Sequence, residues 1–258
     1  MERWWLAMAT VFAAAGGAAG LRSVLRGRRS AAAVWCMVGA LACQFVFLWL
    51  RGAARGACPL GDAGEVLAYL GWSLTLCYLL TGHAYRWSPV GVFTAPIVMA
   101  VQLAALWPGM LGDAHGAGAR PVNAWGEGHA AMSVLSYGIF GMAAVTATMF
   151  LVLDRKLKGR DVESWWFRAM PPVGQLRVSM MRLVRTGWLL MTVGIGCGWM
   201  ARAAGGQGAT GHLVAALLVW LAYLALLVFE QVRGAGGRRM AMLVAAMFLV
   251  SLTVFLLL

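Results

Sequence analysis

Apolar runs fill this chain from end to end, and nearly every run is closed by arginine, glycine, proline or aspartate. They do not alternate residue by residue, as a strand with one wet face would. They continue for about 18 residues or more with few charges, the length at which an α-helix crosses roughly 30 Å of hydrocarbon. Read to its breakers, the pattern predicts about eight transmembrane helices, near 4–21, 31–50, 64–82, 90–107, 128–153, 184–203, 211–232 and 240–258. The fold class expected is all-α, a polytopic helical membrane protein forming one integral membrane domain over 1–258. Trp4, Trp5, Trp49, Trp107, Trp125 and Trp188 fall near the span edges, where aromatic anchors sit at the membrane–water interface.

Composition agrees with the pattern. Hydrophobic residues make up 62% of the chain and charged residues 12%, with a mean hydropathy of +0.77. A soluble domain with that balance would have too little polar surface to stay dispersed. The net charge of +12 would suggest nucleic acid in a soluble protein. Here the basic residues sit in short loops between apolar runs, so they are topology signals and nucleic-acid binding is set aside.

The loops after the first, third, fifth and seventh spans hold sixteen lysines and arginines, and the other side holds five, namely Arg3, Arg51, Arg55, Arg120 and Arg202. The positive-inside rule then places the first set in the cytoplasm and both termini on the external side. The N-terminal run MERWWLAMATVFAAAGGAAGL has its basic cluster after the apolar part, which reads as a retained helix and not a signal peptide.

Residues 154–183 form the longest cytoplasmic loop, and QLRVSMMRLVR within it has amphipathic spacing. That spacing predicts a surface helix with Val178, Met181 and Leu183 on lipid and Arg177, Arg182 and Arg185 at the headgroups. Gly16 to Gly20 and Gly194 to Gly198 have GxxxG spacing, expected to bring helices of the same chain close together. The five cysteines show no metal or disulfide spacing, and only Cys58 is expected at the surface.

No Ser–His–Asp set, paired carboxylates, HExxH, phosphate loop or dinucleotide fingerprint is visible, which argues against an enzyme. Mid-membrane carboxylates, the usual mark of a proton-coupled permease, are nearly absent. Two histidines stand out. His129 heads the fifth predicted span and His212 the seventh, both on the external side. A histidine at a helix end is commonly an interfacial hydrogen-bonding group. Two imidazoles approaching from opposite sides could instead ligate a haem iron, with Trp125, Tyr137, Trp199 and Trp220 lining an apolar slot. Arg202, Arg51 or Arg55 would then meet the propionates. His83 and His115 are read as loop or interface residues.

Several blocks resemble the cytochrome c assembly protein family, the CcsA, CcmC and HemX relatives. EVLAYLGWSLTLCYLL at 65–80 and GVFTAPIVM at 91–99 are similar to its paired core helices. GHAAMSVLSYGIFG is similar to its histidine-led helix, with Tyr137 at the aromatic position, and MPPVGQLRVSMMRLVRTGWLLMTVGIGCG at 170–198 to the loop and helix that follow. The likeness covers about 64–258. CcsA and CcmC proteins carry a tryptophan-rich WWD segment on an external loop, whereas after Trp199 this chain has only ARAAGGQGATG. The family's later histidine has no counterpart near Phe229 and Glu230. The arrangement resembles the HemX/YpjD branch, although Leu213 stands where that branch commonly has lysine.

The resemblance implies a haem-handling protein of a bacterial cytoplasmic (inner) membrane, in contact with membrane lipid and supporting cytochrome c biogenesis or haem transport. Haem b would be held by His129 and His212, and a cytochrome c maturation or haem-synthesis protein would be the partner. The alternative is a cofactor-free scaffold or regulator of haem biosynthesis, as HemX relatives are associated with control of glutamyl-tRNA reductase.

Overall fold

The computed structural model describes residues 2–26, 30–84, 88–112, 123–159, 171–204, 210–234 and 236–257, and of residues 82–84, 88, 89, 210–212 and 254–257 the backbone alone. His115 lies outside the described residues, as do the side chains of His83 and His212 and the middle of the basic loop, 160–170. Among the described residues the protein is all-α. Its eight helices are α1 (Glu2–Leu25), α2 (Ala31–Arg55), α3 (Ala63–Ala84), α4 (Ser88–Ala105), α5 (Ala124–Lys158), α6 (Val173–Ala203), α7 (Thr210–Arg233) and α8 (Gly237–Leu257). Each overlaps one predicted span. By length and composition α1, α2, α3, α5 and α7 are long and apolar enough to cross a membrane, and α4 has a shorter apolar stretch over Val90–Ala105.

Local chemistry sets the ends. Ser30 caps α2, its Oγ accepting from the Ala33 N–H at 3.2 Å, and Gly56 ends that helix in the left-handed region at φ 62°. Asn123 caps α5, its Oδ1 accepting from the Trp125 N–H at 3.1 Å. The cap starts α5 well before the apolar run. With 35 residues it is about 52 Å long, far more than the hydrocarbon needs.

α5 is the central helix. It packs on α6 along its length, on α8, and on α3 and α4, while α1 packs on α2 and α4. Its middle, from Ser136 to Ala147, is buried without interruption. At its centre Phe140 stacks on Tyr223 of α7 with ring centroids 3.8 Å apart. Glycines make the α5–α6 approach close: a Cβ at Gly187 would lie 2.6 Å from the Phe140 ring, and one at Gly194 3.3 Å from the Met132 Cβ. Gly16 and Gly20 take the faces of Ala33, Met37 and Val92 in the same way. Both GxxxG pairs therefore join helices within this chain, as expected.

α6 departs from the sequence reading. The segment predicted to lie on the membrane surface and lead into the sixth span is the first half of one continuous helix, 31 residues long. Met181, expected on lipid, is buried in the core together with Leu176, Met180 and Val184, while Val178 is exposed. The apolar stripe of that segment faces α5 because the bundle offers it a packed surface. The predicted loop 154–183 thus contracts to the residues between Lys158 and Val173. Trp188 also leaves the role of interfacial anchor. It stacks on Trp220 of α7 at 5.2 Å, inside the α6–α7 contact.

Candidate functional site

The chain passes back and forth, so both termini, the starts of α3, α5 and α7, and the ends of α2, α4 and α6 lie at one end of the bundle. His129 is there, in the second turn of α5. Its Nδ1 is 2.8 Å from the carbonyl oxygen of Gly194 on α6. A carbonyl can only accept, so Nδ1 carries the proton and donates it. In the neutral ring Nε2 then keeps its lone pair, available to a metal or a donor. Gly198, one turn further along α6, lets the ring in: a Cβ there would lie 2.8 Å from Nδ1.

The same absent Cβ would lie 2.6 Å from Cδ2 of Leu213, the residue that follows His212. The first turn of α7 therefore comes to the groove that seats the His129 ring. Gly198 is where α5, α6 and α7 converge. The structure describes the backbone of His212 in that turn.

Two i, i+4 rows border this junction. Trp125 precedes His129 by one turn on α5, and Gly194, Gly198 and Arg202 succeed one another on α6. The helices run antiparallel, with Asn123 Nδ2 donating to the Ala201 carbonyl at 3.5 Å, so Trp125 and Arg202 are both near the rim. Trp125 is 48% exposed. Arg202 is exposed in the last turn of α6 and makes no ion pair among the described residues. A cation, an indole and an imidazole with a fixed tautomer thus border one junction of three helices.

Other expected members lie elsewhere. Tyr137 is two turns deeper, about 12 Å along the axis, and packs edge-on against Phe140 in the core. Trp199 is 72% exposed and projects outward, because the residue after Gly198 is turned about 100° from the α5 face. Trp220 Nε1 donates to Thr192 Oγ1 at 2.8 Å, which places that ring in the α6–α7 contact.

Arg51 and Arg55 are already engaged, so they are not free for an anionic ligand. Arg51 is 4% exposed, and its Nε donates to Glu65 Oε1 at 2.6 Å, while another of its nitrogens meets Asp62 Oδ2 at 3.0 Å. Arg55 Nε donates to Glu65 Oε1 at 2.8 Å. Glu65 is fully buried and accepts from the Gly61 N–H on its other oxygen. Arg51 also reaches Glu2 and the Gly112 carbonyl, and Arg3 reaches the Leu111 carbonyl. This network ties α1, α2 and α3 to the chain following α4. Sequence reading missed it because Glu65 looks like an ordinary first-turn carboxylate until its partners, 14 and 10 residues earlier, are placed beside it.

Cys58, expected at the surface, is half-buried, and its backbone N–H donates to Glu127 Oε1 at 3.2 Å. Burial, with the Glu127 and Glu65 carboxylates nearby, raises the thiol above its ordinary range. Among the described residues no three His, Cys, Asp or Glu side chains cluster to hold a metal by themselves.

With that geometry in view, comparison with known proteins gives a consistent result. A family model described as "Cytochrome C assembly protein" matches residues 60–258. The chain is 25% identical to the cytochrome c biogenesis protein CcsA of Microcystis aeruginosa, over 81% of this chain and 78% of that protein. It is 28% identical to the CcsA of Thermosynechococcus vestitus, over 83% of this chain and 77% of that protein. A Synechococcus CcsA is 30% identical, over 82% of this chain and 76% of that protein.

Proposed function

The chain belongs to the cytochrome c assembly protein family, and from that premise we propose that it holds haem b at the junction of α5, α6 and α7 in support of cytochrome c biogenesis. In this reading the protein lies in a bacterial cytoplasmic membrane, with the junction on the external side. His129 and His212 would hold the iron, Arg202 would take a propionate, and Trp125 would offer the ring an aromatic face at the rim. The observation that carries the reading is the bond from His129 Nδ1–H to the Gly194 carbonyl. It fixes the tautomer and orientation that an axial imidazole requires.

The residues present suit that group. Gly198 provides space for the His129 ring and for Leu213, and among the described residues the polar partner of that ring is a backbone carbonyl and no carboxylate. Haem, when bound, would supply a redox-active iron for imidazole to hold and a pair of propionate anions for a cation to meet. The chain's own part is to orient His129 through α6, to bring the start of α7 alongside, and to offer Arg202 to an anion. Arg51 and Arg55 contribute through structure, holding α1 to α3 in place behind the site.

Porphyrin content tests this reading. Full-length protein purified from haem-replete cells is expected to carry about one haem per chain and to show a Soret band. His129→Ala and His212→Ala should each lose most of it while the protein still inserts and remains monodisperse. Wild-type protein without porphyrin would overturn the reading.

One observation favours a second reading, a regulator of the HemX kind. Only residues 204–209 join α6 to α7, too short a connection for a WWD segment that presents haem to an apocytochrome. Under that reading the purified chain carries no porphyrin and a haem-synthesis protein is recovered with it.

A further inference from the structure

At the opposite end of the bundle from His129 a cavity of about 360 Å³ lies among α3, α4, α5 and α6. Its size is within the range of small-molecule pockets. The wall is apolar in the main, formed by side chains such as Leu80, Ile139, Met142 and Leu176. α3 and α6 both pack on α5 without packing closely on one another, and this leaves the space between them.

Its polar groups are of two kinds. Thr81, Thr146 and Ser179 line it, but each donates its hydroxyl proton to its own helix, to the carbonyls of Cys77, Met142 and Gln175. They offer a ligand acceptor oxygens only. The exception is Arg182, a full cation that lines the cavity and is exposed, with no hydrogen bond or ion pair among the described residues. Its neighbour Arg185, in contrast, is paired with Glu230 at 2.9 Å. Leu80 of α3 and Thr186 of α6, both exposed, border the cavity beside Arg182, so it opens on the bundle's outer surface.

In a membrane that outer surface meets lipid. An apolar slot open to lipid, with a cation at its edge that has no partner among the described residues, matches an alkyl chain that ends in an anionic head. We propose that this cavity takes one acyl chain of an anionic lipid, with its head group on Arg182. A free fatty acid has the same chemistry, an alkyl chain and one anionic group, and the experiment separates the two sources. This site shares no residue with the haem junction, so its test is independent of the haem reading.

The test uses full-length protein in phosphatidylcholine vesicles doped with one photoreactive lipid, with a diazirine near the end of an acyl chain. The dopants are phosphatidylglycerol, phosphatidylcholine and the free fatty acid, followed by peptide mapping after photolysis. The expected result is phosphatidylglycerol label concentrated on the peptides carrying Cys77 and Ile139 to Thr146. Arg182→Gln should lower it about tenfold, the loss of one charge-assisted contact, without changing the phosphatidylcholine background. Thr186→Trp, a change at an exposed position that fills the mouth, should abolish it. If the fatty acid labels those peptides and phosphatidylglycerol does not, the free acid is the ligand and the phospholipid assignment fails. Label spread evenly over outward residues such as Leu189 and Leu218, and unchanged in both variants, overturns the site altogether.

Discussion

His129 acquires its chemistry from a partner 65 residues away, the Gly194 carbonyl, and from the absence of a side chain at Gly198. Gly198→Ala would put a methyl carbon within 2.8 Å of the imidazole and 2.6 Å of Leu213. Repacking a filled site of this kind costs about 1–3 kcal/mol. The expected outcome is a lower unfolding temperature in detergent together with a displaced or weakened haem spectrum. Gly196→Ala on the same helix is the control, because a Cβ there meets nothing within 4 Å, and it should leave both readouts unchanged. The place of His129 near the start of a long helix was legible in the sequence, since it stands at the edge of a long apolar run. The glycine seat was legible only as spacing. Nothing in the order of residues says that Gly198 faces an imidazole while Trp199 points outward.

At the scale of the elements, the ion network joins α1, α2 and α3 through buried charges. Arg51→Ala would leave Glu65, fully buried, with one of its cations removed, and breaking such a pair costs about 3–5 kcal/mol. Arg51→Met with Glu65→Leu should regain part of that loss and not all of it, because Arg55 also donates to Glu65 and is then left with Asp62 alone. Thermal unfolding of the purified proteins measures both, and equal stability of wild type and Arg51→Ala would contradict the assignment.

Helix existence was legible from the apolar runs, but helix length was not. α5 starts at Ala124 because Asn123 caps it, and continues through Asp154 to Lys158, where a salt bridge between those two residues supports the last turn. α6 begins at Val173 because its amphipathic first half packs on α5. Both extensions come from polar chemistry and tertiary packing, which a hydrophobic window ignores. Of the three arginines offered as propionate partners, Arg51 and Arg55 are paired with Glu65 and Asp62: charge at a rim can be read from sequence, but whether it is already neutralised cannot.

At the largest scale, the described helices in alternation bring the start of α1, the end of α8 and both helix-heading histidines to one end, and the cavity with Arg182 to the other. α5 spans the two, seating His129 near its start and lining the cavity with Ile139, Met142 and Thr146 near its middle. The central claim is that one iron is gripped at the histidine end by imidazoles from α5 and α7. Electron paramagnetic resonance of the oxidised, purified protein tests it most directly. The account predicts a low-spin ferric signal in the wild type, while the small fraction of haem that His129→Ala or His212→Ala retains should be high-spin and return to low-spin when free imidazole is added. A low-spin signal untouched by either substitution would contradict it, as would a wild-type protein that is high-spin from the outset.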